Sequence, residues 1–309
     1  MINVQNLKKT YGSFTAVDDI SFEVKKGEIV GFLGPNGAGK TTTMKILTCF
    51  MGATGGSASI AGFDVEKNSF EVRSKVGYLP ESAPLYSEMN VIGFLKFIAE
   101  IRNIQGDKFN TRLEEVSAVC GLKSVMNRPI AQLSKGYRQR VGLAQAIFHN
   151  PDVLILDEPT SGLDPNQIIE IRELIRKLGQ EKTVILSTHI LPEVEAVCSR
   201  VIIINEGRIV GAGTLEQLSA NSHETVVAKI RGNEGAIREK LKAMPGVKEV
   251  LLRGAANELS TYEIQPDSGQ KLNEAVFKVV ADNGWSLAEL RSEGASLENV
   301  FTKLTRSAQ

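Results

Sequence analysis

Gly34-Pro35-Asn36-Gly37-Ala38-Gly39-Lys40-Thr41-Thr42 is a glycine-rich loop that runs into a lysine and two hydroxyl residues, in the pattern G-x-x-x-x-G-K-[ST]. The chemistry of a phosphate chain explains that spacing. Successive backbone N–H groups must turn inward around an anion, and glycine permits the curvature. A helix that begins at Gly39 aims the positive end of its dipole at the phosphates. Lys40 supplies charge to the β- and γ-phosphates, and the Thr41 hydroxyl is a ligand for Mg²⁺.

The flanking sequence is strand before the loop and helix after it. Residues 29–33 are a short apolar run, and residues 40–50 carry a helical period. Residues 153–156, 184–187 and 201–204 are continuous aliphatic runs, as expected of parallel strands covered on both faces. Residues 17–24 alternate apolar and polar, as a half-buried antiparallel strand does. Residues 139–148 and 167–179 read as helices. Between 84 and 132 the strand runs vanish, and 91–104 and 111–120 look helical. The expected class is α/β, a mixed sheet core with a helical subdomain over about 84–150.

Two acids end the strand at 153–156. Asp157, held at the carboxyl end of a buried strand, stands where open α/β sheets bind ligands and can hold Mg²⁺. Glu158 beside it can take a proton from an attacking water or orient it. His189 follows the strand at 184–187, which puts it on the same sheet edge as Lys40 and Asp157, within reach of a γ-phosphate. His149 and His223, at a helix end and in a linker, carry no assigned role.

The composition limits the alternatives. The chain has 309 residues, with 36 Lys and Arg against 36 Asp and Glu, a net charge of zero. A nucleic-acid partner usually demands a basic excess, so none is expected. Hydrophobic residues at 42% and charged residues at 23% are those of a globular protein, and the length suits two domains. No apolar run approaches the roughly 20 residues a membrane helix needs, and residues 1–10 lack a secretory h-region. Three widely spaced cysteines, Cys49, Cys120 and Cys198, suit a reduced cytoplasmic chain.

A boundary follows Gly213. Thr214 can cap a short helix over 215–218, and 219–223 is a polar linker. Beyond it come a strand at 225–231, a helix at 235–244, strands at 247–252 and 259–264, a helix at 269–283 and a strand at 285–291. That order is βαββαβ, a small ferredoxin-like α+β domain over 219–309. A last helix is expected over 297–305.

With these residues in this order, the chain resembles the ATP-binding subunit of an ABC transporter. The decisive stretch is Leu133-Ser134-Lys135-Gly136-Tyr137-Arg138-Gln139-Arg140, similar to the family signature L-S-G-G-Q, with Lys135 and Tyr137 departing from it. The departures resemble the subgroup that serves ABC-2-type exporters. The resemblance covers residues 1–218 and implies the P-loop ABC ATPase cassette fold. In it Ser134 caps a helix whose N-terminus faces the γ-phosphate bound on a partner subunit, Gly136 permits close backbone approach, and Lys135 adds positive charge there. Tyr11 resembles the aromatic residue that stacks on adenine, with Val17 packing nearby. Ser161-Gly162-Leu163-Asp164 resembles the D-loop, which crosses the dimer interface. After Val76-Gly77-Tyr78-Leu79-Pro80 the family has Gln, and here Glu81 stands in that place, where a carboxylate can contact Mg²⁺ or water. Ser296-Leu297-Glu298-Asn299-Val300-Phe301 with Leu304-Thr305 looks like the end of the C-terminal region in gliding-motility, multidrug and copper-processing export ATPases.

The resemblance further implies ATP and Mg²⁺ as cofactors and a homodimer closing around two ATP. It implies a separately encoded integral membrane permease that docks near the helical insertion, export as the direction, and a peripheral position at the cytoplasmic face of the inner membrane. The alternative is a soluble ABC ATPase of repair or translation. Repair types insert long coiled coils and translation types carry two cassettes in one chain, and neither feature is present.

Overall fold

The computed structural model describes residues 1–220, 225–256, 259–267, 272–293, 301 and 304–305. They divide into two compact units, Met1–Leu215 with Leu304–Gln309, and Glu216–Lys303.

In the first unit the elements are β1 (Ile2–Tyr11), β2 (Phe14–Val24), β3 (Ile29–Leu33), α1 (Lys40–Leu47), β4 (Gly55–Ile60), β5 (Phe63–Asp64), α2 (Ser69–Lys75), β6 (Val76–Leu79), α3 (Val91–Ile101), α4 (Gly106–Val119), α5 (Lys135–Ile147), β7 (Val153–Asp157), α6 (Pro165–Gly179), β8 (Thr183–Thr188), α7 (Leu191–Val197), β9 (Arg200–Asn205) and β10 (Arg208–Thr214). The helix α8 (Leu215–Ala220) comes next. Two sheets form. One is antiparallel, in the order β2-β1-β4-β5, and the other is six-stranded, in the order β10-β9-β3-β8-β7-β6. In the second sheet β9, β3, β8, β7 and β6 run parallel, with β10 antiparallel at the edge. β7 and β8 are buried at every position, which is why they read as unbroken aliphatic runs rather than alternating ones.

The core of this unit lies between the two sheets and α1. Val17, Ile20, Phe32, Met44, Leu47, Ile155 and Ile202 share it. α1 stops at Leu47, three residues short of the expected end. Thr48 Oγ1 donates back to Met44 O at 2.9 Å, and Cys49 takes φ 59°, which no right-handed helix can continue.

The second unit holds β11 (Thr225–Arg231), α9 (Glu234–Lys242), β12 (Val247–Ala256), β13 (Leu259–Pro266), α10 (Asn273–Asp282) and β14 (Ser286–Glu293). Its sheet is antiparallel throughout, in the order β12-β13-β11-β14. Val226, Ala228, Ile230, Tyr262 and Ile264 point to one face and pack with Ile237, Leu241, Val276 and Val280 of the two helices. Asn233 caps α9 by accepting from Ala236 N at 3.1 Å. Of the expected helix over 297–305 only 301 and 304–305 are among the described residues, and of the 296–301 motif only 301.

Candidate functional site

The parallel sheet delivers the candidate residues to one edge. Register places Leu33 beside Thr188, Asp157 beside Ser187, and Leu79 beside Leu156. The four strand ends therefore finish level, and each opens into a chemically distinct segment. β3 leads into the phosphate loop, β7 ends in Asp157-Glu158, β8 leads to His189, and β6 leads to Glu81. The carboxyl end of a parallel sheet is where such folds bind ligands.

The loop needs its glycines for space as well as curvature. Gly39 has φ 102°, and a Cβ there would lie 2.4 Å from Ala16 O. A Cβ on Gly34 would lie 2.4 Å from Ile204 O. Both contacts are with backbone, so nothing can yield cheaply. α1 then starts with its free N–H groups facing the loop.

Lys40 is 6% exposed, and its Nζ donates to Gly34 O at 2.8 Å and Pro35 O at 3.1 Å. It also lies 3.3 Å from Glu158 Oε1. The other Glu158 oxygen, Oε2, is 3.0 Å from His189 Nδ1. Glu158 has φ 48°, a left-handed conformation that costs a non-glycine residue on the order of 1–3 kcal/mol. The surroundings hold it there. Glu158 N donates to Ser187 O and Ser187 Oγ, each at 3.1 Å, and Ser161 N donates to Glu158 O at 3.1 Å. Gln139 Nε2, from α5, donates to Pro159 O at 2.8 Å.

Asp157 is fully buried. Its Oδ1 accepts from Ser187 Oγ at 2.5 Å and from Thr41 Oγ1 at 3.2 Å. Its Oδ2 is buried without a hydrogen-bond partner among the described residues. Burial pushes the Asp157 carboxyl above its ordinary value, against the two hydroxyl bonds, which favour the ion.

A cavity of about 450 Å³ opens on this edge, lined by Phe14, Ala16, Asn36, Gly37, Gly39, Lys40, Thr41, Thr42, Glu81, Glu158, Ser161 and His189. Of the residues expected beside the adenine, neither Val17 nor Tyr11 lines it, although Val17 packs against the loop, its Cγ2 3.5 Å from where a Cβ on Gly39 would lie. Val17 is fully buried in the core, because the inward side of β2 is the side it occupies. Tyr11 is not among the lining residues. Its hydroxyl lies 3.1 Å from Met51 Sδ, and the Lys9 ammonium sits 5.4 Å from its ring centre. Phe14, its cross-strand partner, lines the cavity instead, with Ala16 beside it. An aromatic residue three positions on, at the start of the next strand, was the available signal.

The signature residues do not line this cavity. Ser134 caps α5, accepting from Tyr137 N at 3.3 Å. A Cβ on Gly136 would meet the Gln167 side chain at 2.7 Å, and a Cβ on Gly162 would meet Lys135 Nζ at 2.1 Å. The first turn of α5 therefore packs directly on the 159–167 segment of the same chain. Lys135 is exposed and lies over Gly162. Asp164 caps α6, its Oδ1 accepting from Gln167 N at 2.9 Å.

The model of the ABC transporter family matches residues 17–161. The bacitracin transport ATP-binding protein BcrA of Bacillus licheniformis is 33% identical over 98% of this chain and 97% of its own length. The probable multidrug ABC transporter ATP-binding protein YbhF of Escherichia coli (strain K12) is 36% identical over 72% of this chain, and the match spans 38% of YbhF. Among solved structures, the ATP-binding cassette MJ0796, a dimer in a post-hydrolysis state bound to ADP and Pi, covers 70% of this chain at 26% identity with a TM-score of 0.63. A level sheet edge carrying a phosphate loop, two acids and a histidine, on this fold, defines a P-loop ATPase cassette. The chain belongs to the ABC transporter ATP-binding proteins.

Proposed function

We propose that the chain binds ATP on the 34–42 loop and hydrolyses it to power a separately encoded integral membrane subunit. The observation that carries the chemistry is the placing of the Glu158 carboxylate between Lys40 and His189 at the mouth of that loop. The phosphates would draw the Lys40 charge to themselves. Glu158 then takes the proton of a water that attacks the γ-phosphorus, the bond to the β-bridging oxygen breaks, and ADP and phosphate leave. His189 holds Glu158 in line and can contact the γ-phosphate. Phe14 and Ala16 supply the wall on which the base rests, with Tyr11 at its rim.

The residues present fit Mg²⁺. Asp157 Oδ2 is a buried oxygen without a partner among the described residues, and Thr41 already touches the same carboxylate. Among the described residues no group of three His, Cys, Asp or Glu side chains could hold a metal alone. A cation here therefore needs the phosphates as ligands, as Mg²⁺ in nucleotide sites does. Thr41 and Asp157 would hold it, with Glu81 at the cavity wall, and it would neutralise charge on the β- and γ-phosphates.

Ser134, Lys135, Gly136 and Asp164 act on the nucleotide held by a second copy. Their absence from the wall of the chain's own cavity, together with the dimeric assembly of MJ0796, supports that reading. The membrane subunit docks near Glu81 and the 84–132 helices, and the chain is peripheral at the cytoplasmic face. No helix among the described residues is long and apolar enough to cross a membrane. Export is supported by the Lys135 and Tyr137 signature variant. The 219–309 domain is an accessory or regulatory part. Steady-state phosphate release by the wild type and by Glu158→Gln tests the chemistry. Purification from membranes, with identification of the bound integral subunit, tests the assembly, and recovery of only soluble or ribosomal partners would overturn it.

A further inference from the structure

We propose that Glu193 is a positioning residue for the hydrolytic pair, a role that rests on the reading of Glu158 and His189 given above. Glu193 lies in the first turn of α7 and is only 3% exposed. Its Oε2 accepts from Thr188 Oγ1 at 2.6 Å, and its Oε1 accepts from Thr160 Oγ1. Both threonines are themselves buried. Thr188 is the residue before His189, and Thr160 is two residues past Glu158. One carboxylate thus brackets the 3.0 Å contact between Glu158 Oε2 and His189 Nδ1 from behind.

That bracket answers a physical need. Glu158 sits in a left-handed conformation and leads into a turn rather than a helix or strand. His189 lies past the end of β8 with its side chain 43% exposed. Neither segment is held by a hydrogen-bond ladder of its own, and a strained, irregular backbone persists only where its surroundings over-determine it. Thr188 Oγ1 also accepts from Ile190 N at 3.0 Å, so the same hydroxyl fixes both sides of the histidine. The arrangement is costly as packing alone. Among the described residues no cation pairs with Glu193, and a buried carboxylate satisfied only by hydroxyls destabilises a fold relative to an apolar residue of its size. A leucine would fill the same space, but it could not tie Thr160 to Thr188.

The test uses the full chain and two substitutions, Glu193→Gln and Glu193→Leu. Supporting residues of this kind typically change rates by about 10- to 100-fold. Glu193→Leu is expected to lower kcat in that range while the KM for ATP holds and the melting temperature does not fall. Glu193→Gln, which keeps the shape and part of the bonding, is expected to recover part of the loss. The decisive arm is a double-mutant cycle. In a Glu158→Gln background, Glu193→Leu should leave the residual rate unchanged, because the residue it positions has already been disabled. An equal fold-loss in both backgrounds would overturn the proposal, and so would a lower melting temperature with unchanged kcat per folded molecule. If Glu158→Gln abolishes turnover and Glu193→Leu leaves kcat intact, only the positioning role fails. If Glu158→Gln leaves turnover unchanged, the hydrolytic reading itself fails.

Discussion

Glu158 turns one carboxylate oxygen to Lys40 Nζ at 3.3 Å. The other oxygen faces His189, so a single side chain joins the phosphate loop to the end of β8. Replacing it by Gln keeps the shape and removes the basicity. Turnover should fall by about 100-fold or more, in the range removal of a general base produces. Nucleotide affinity should stay, because the loop is untouched. Phosphate release and binding of a fluorescent nucleotide analogue check the two halves separately.

Gly39→Ala should cost both stability and nucleotide binding. The left-handed φ of 102° alone penalises a side chain by about 1–3 kcal/mol. The clash with Ala16 O moves β2 or the loop as well. Chemical denaturation gives the first loss and nucleotide titration the second.

Phe14 and Tyr11 can be separated. If Phe14 forms the wall under the base, Phe14→Ala weakens ATP binding by several-fold, as loss of an aromatic stack worth about 1 kcal/mol does. Tyr11→Ala should then have the smaller effect, acting through its contacts with Met51 and Lys9. Equilibrium binding of ATP to both variants ranks them.

Asp164→Ala removes the cap of α6 and should lower unfolding stability by about 1 kcal/mol. A loss confined to stability marks the residue as a helix cap. An added loss of turnover beyond that marks a role across the dimer as well. Urea unfolding and steady-state rates on the same samples read the two.

His149 makes stability depend on pH. Burial, and then the nearby Arg102 charge, push its imidazole down to about 4, although Nε2 faces Val76 O. The folded state therefore binds fewer protons than the unfolded chain between about 4 and the ordinary value of 6.5. Stability is at its full value above that window and is lost as pH falls through it. The urea midpoint should decline on acidification across it, and His149→Leu should flatten the slope.

Much of this was legible because burial writes plainly in sequence. β7 and β8 are covered on both faces, so they could be found as unbroken aliphatic runs. The loop at 34–42 and the acids at 157–158 are dictated by phosphate chemistry. β1 was not legible. Asn6 takes φ 49°, and the pairing with β2 shifts between Val4 and Leu7 and again by Lys9, which destroys the alternation a strand should show. β4 is Gly-Gly-Ser-Ala-Ser-Ile, too small in its side chains to signal burial. The lining by Phe14 and Ala16 was not legible, since only the hairpin geometry brings those two to the cavity and turns Val17 inward. Glu193 was invisible for a different reason. A glutamate in a seven-residue helix reads as solvated until the tertiary structure buries it against two threonines.

The bond from Gln139 to Pro159, with Lys135 lying over Gly162, makes the first two turns of α5 and the 158–162 loop one mechanical piece. If each copy lends that end of α5 to its neighbour's nucleotide, a single faulty chain damages its own reaction and its partner's at once. In a cell carrying one intact and one defective gene, such a fault would behave as dominant. The intact product would be spent in mixed pairs, and activity would drop further than the dose of good chains alone predicts.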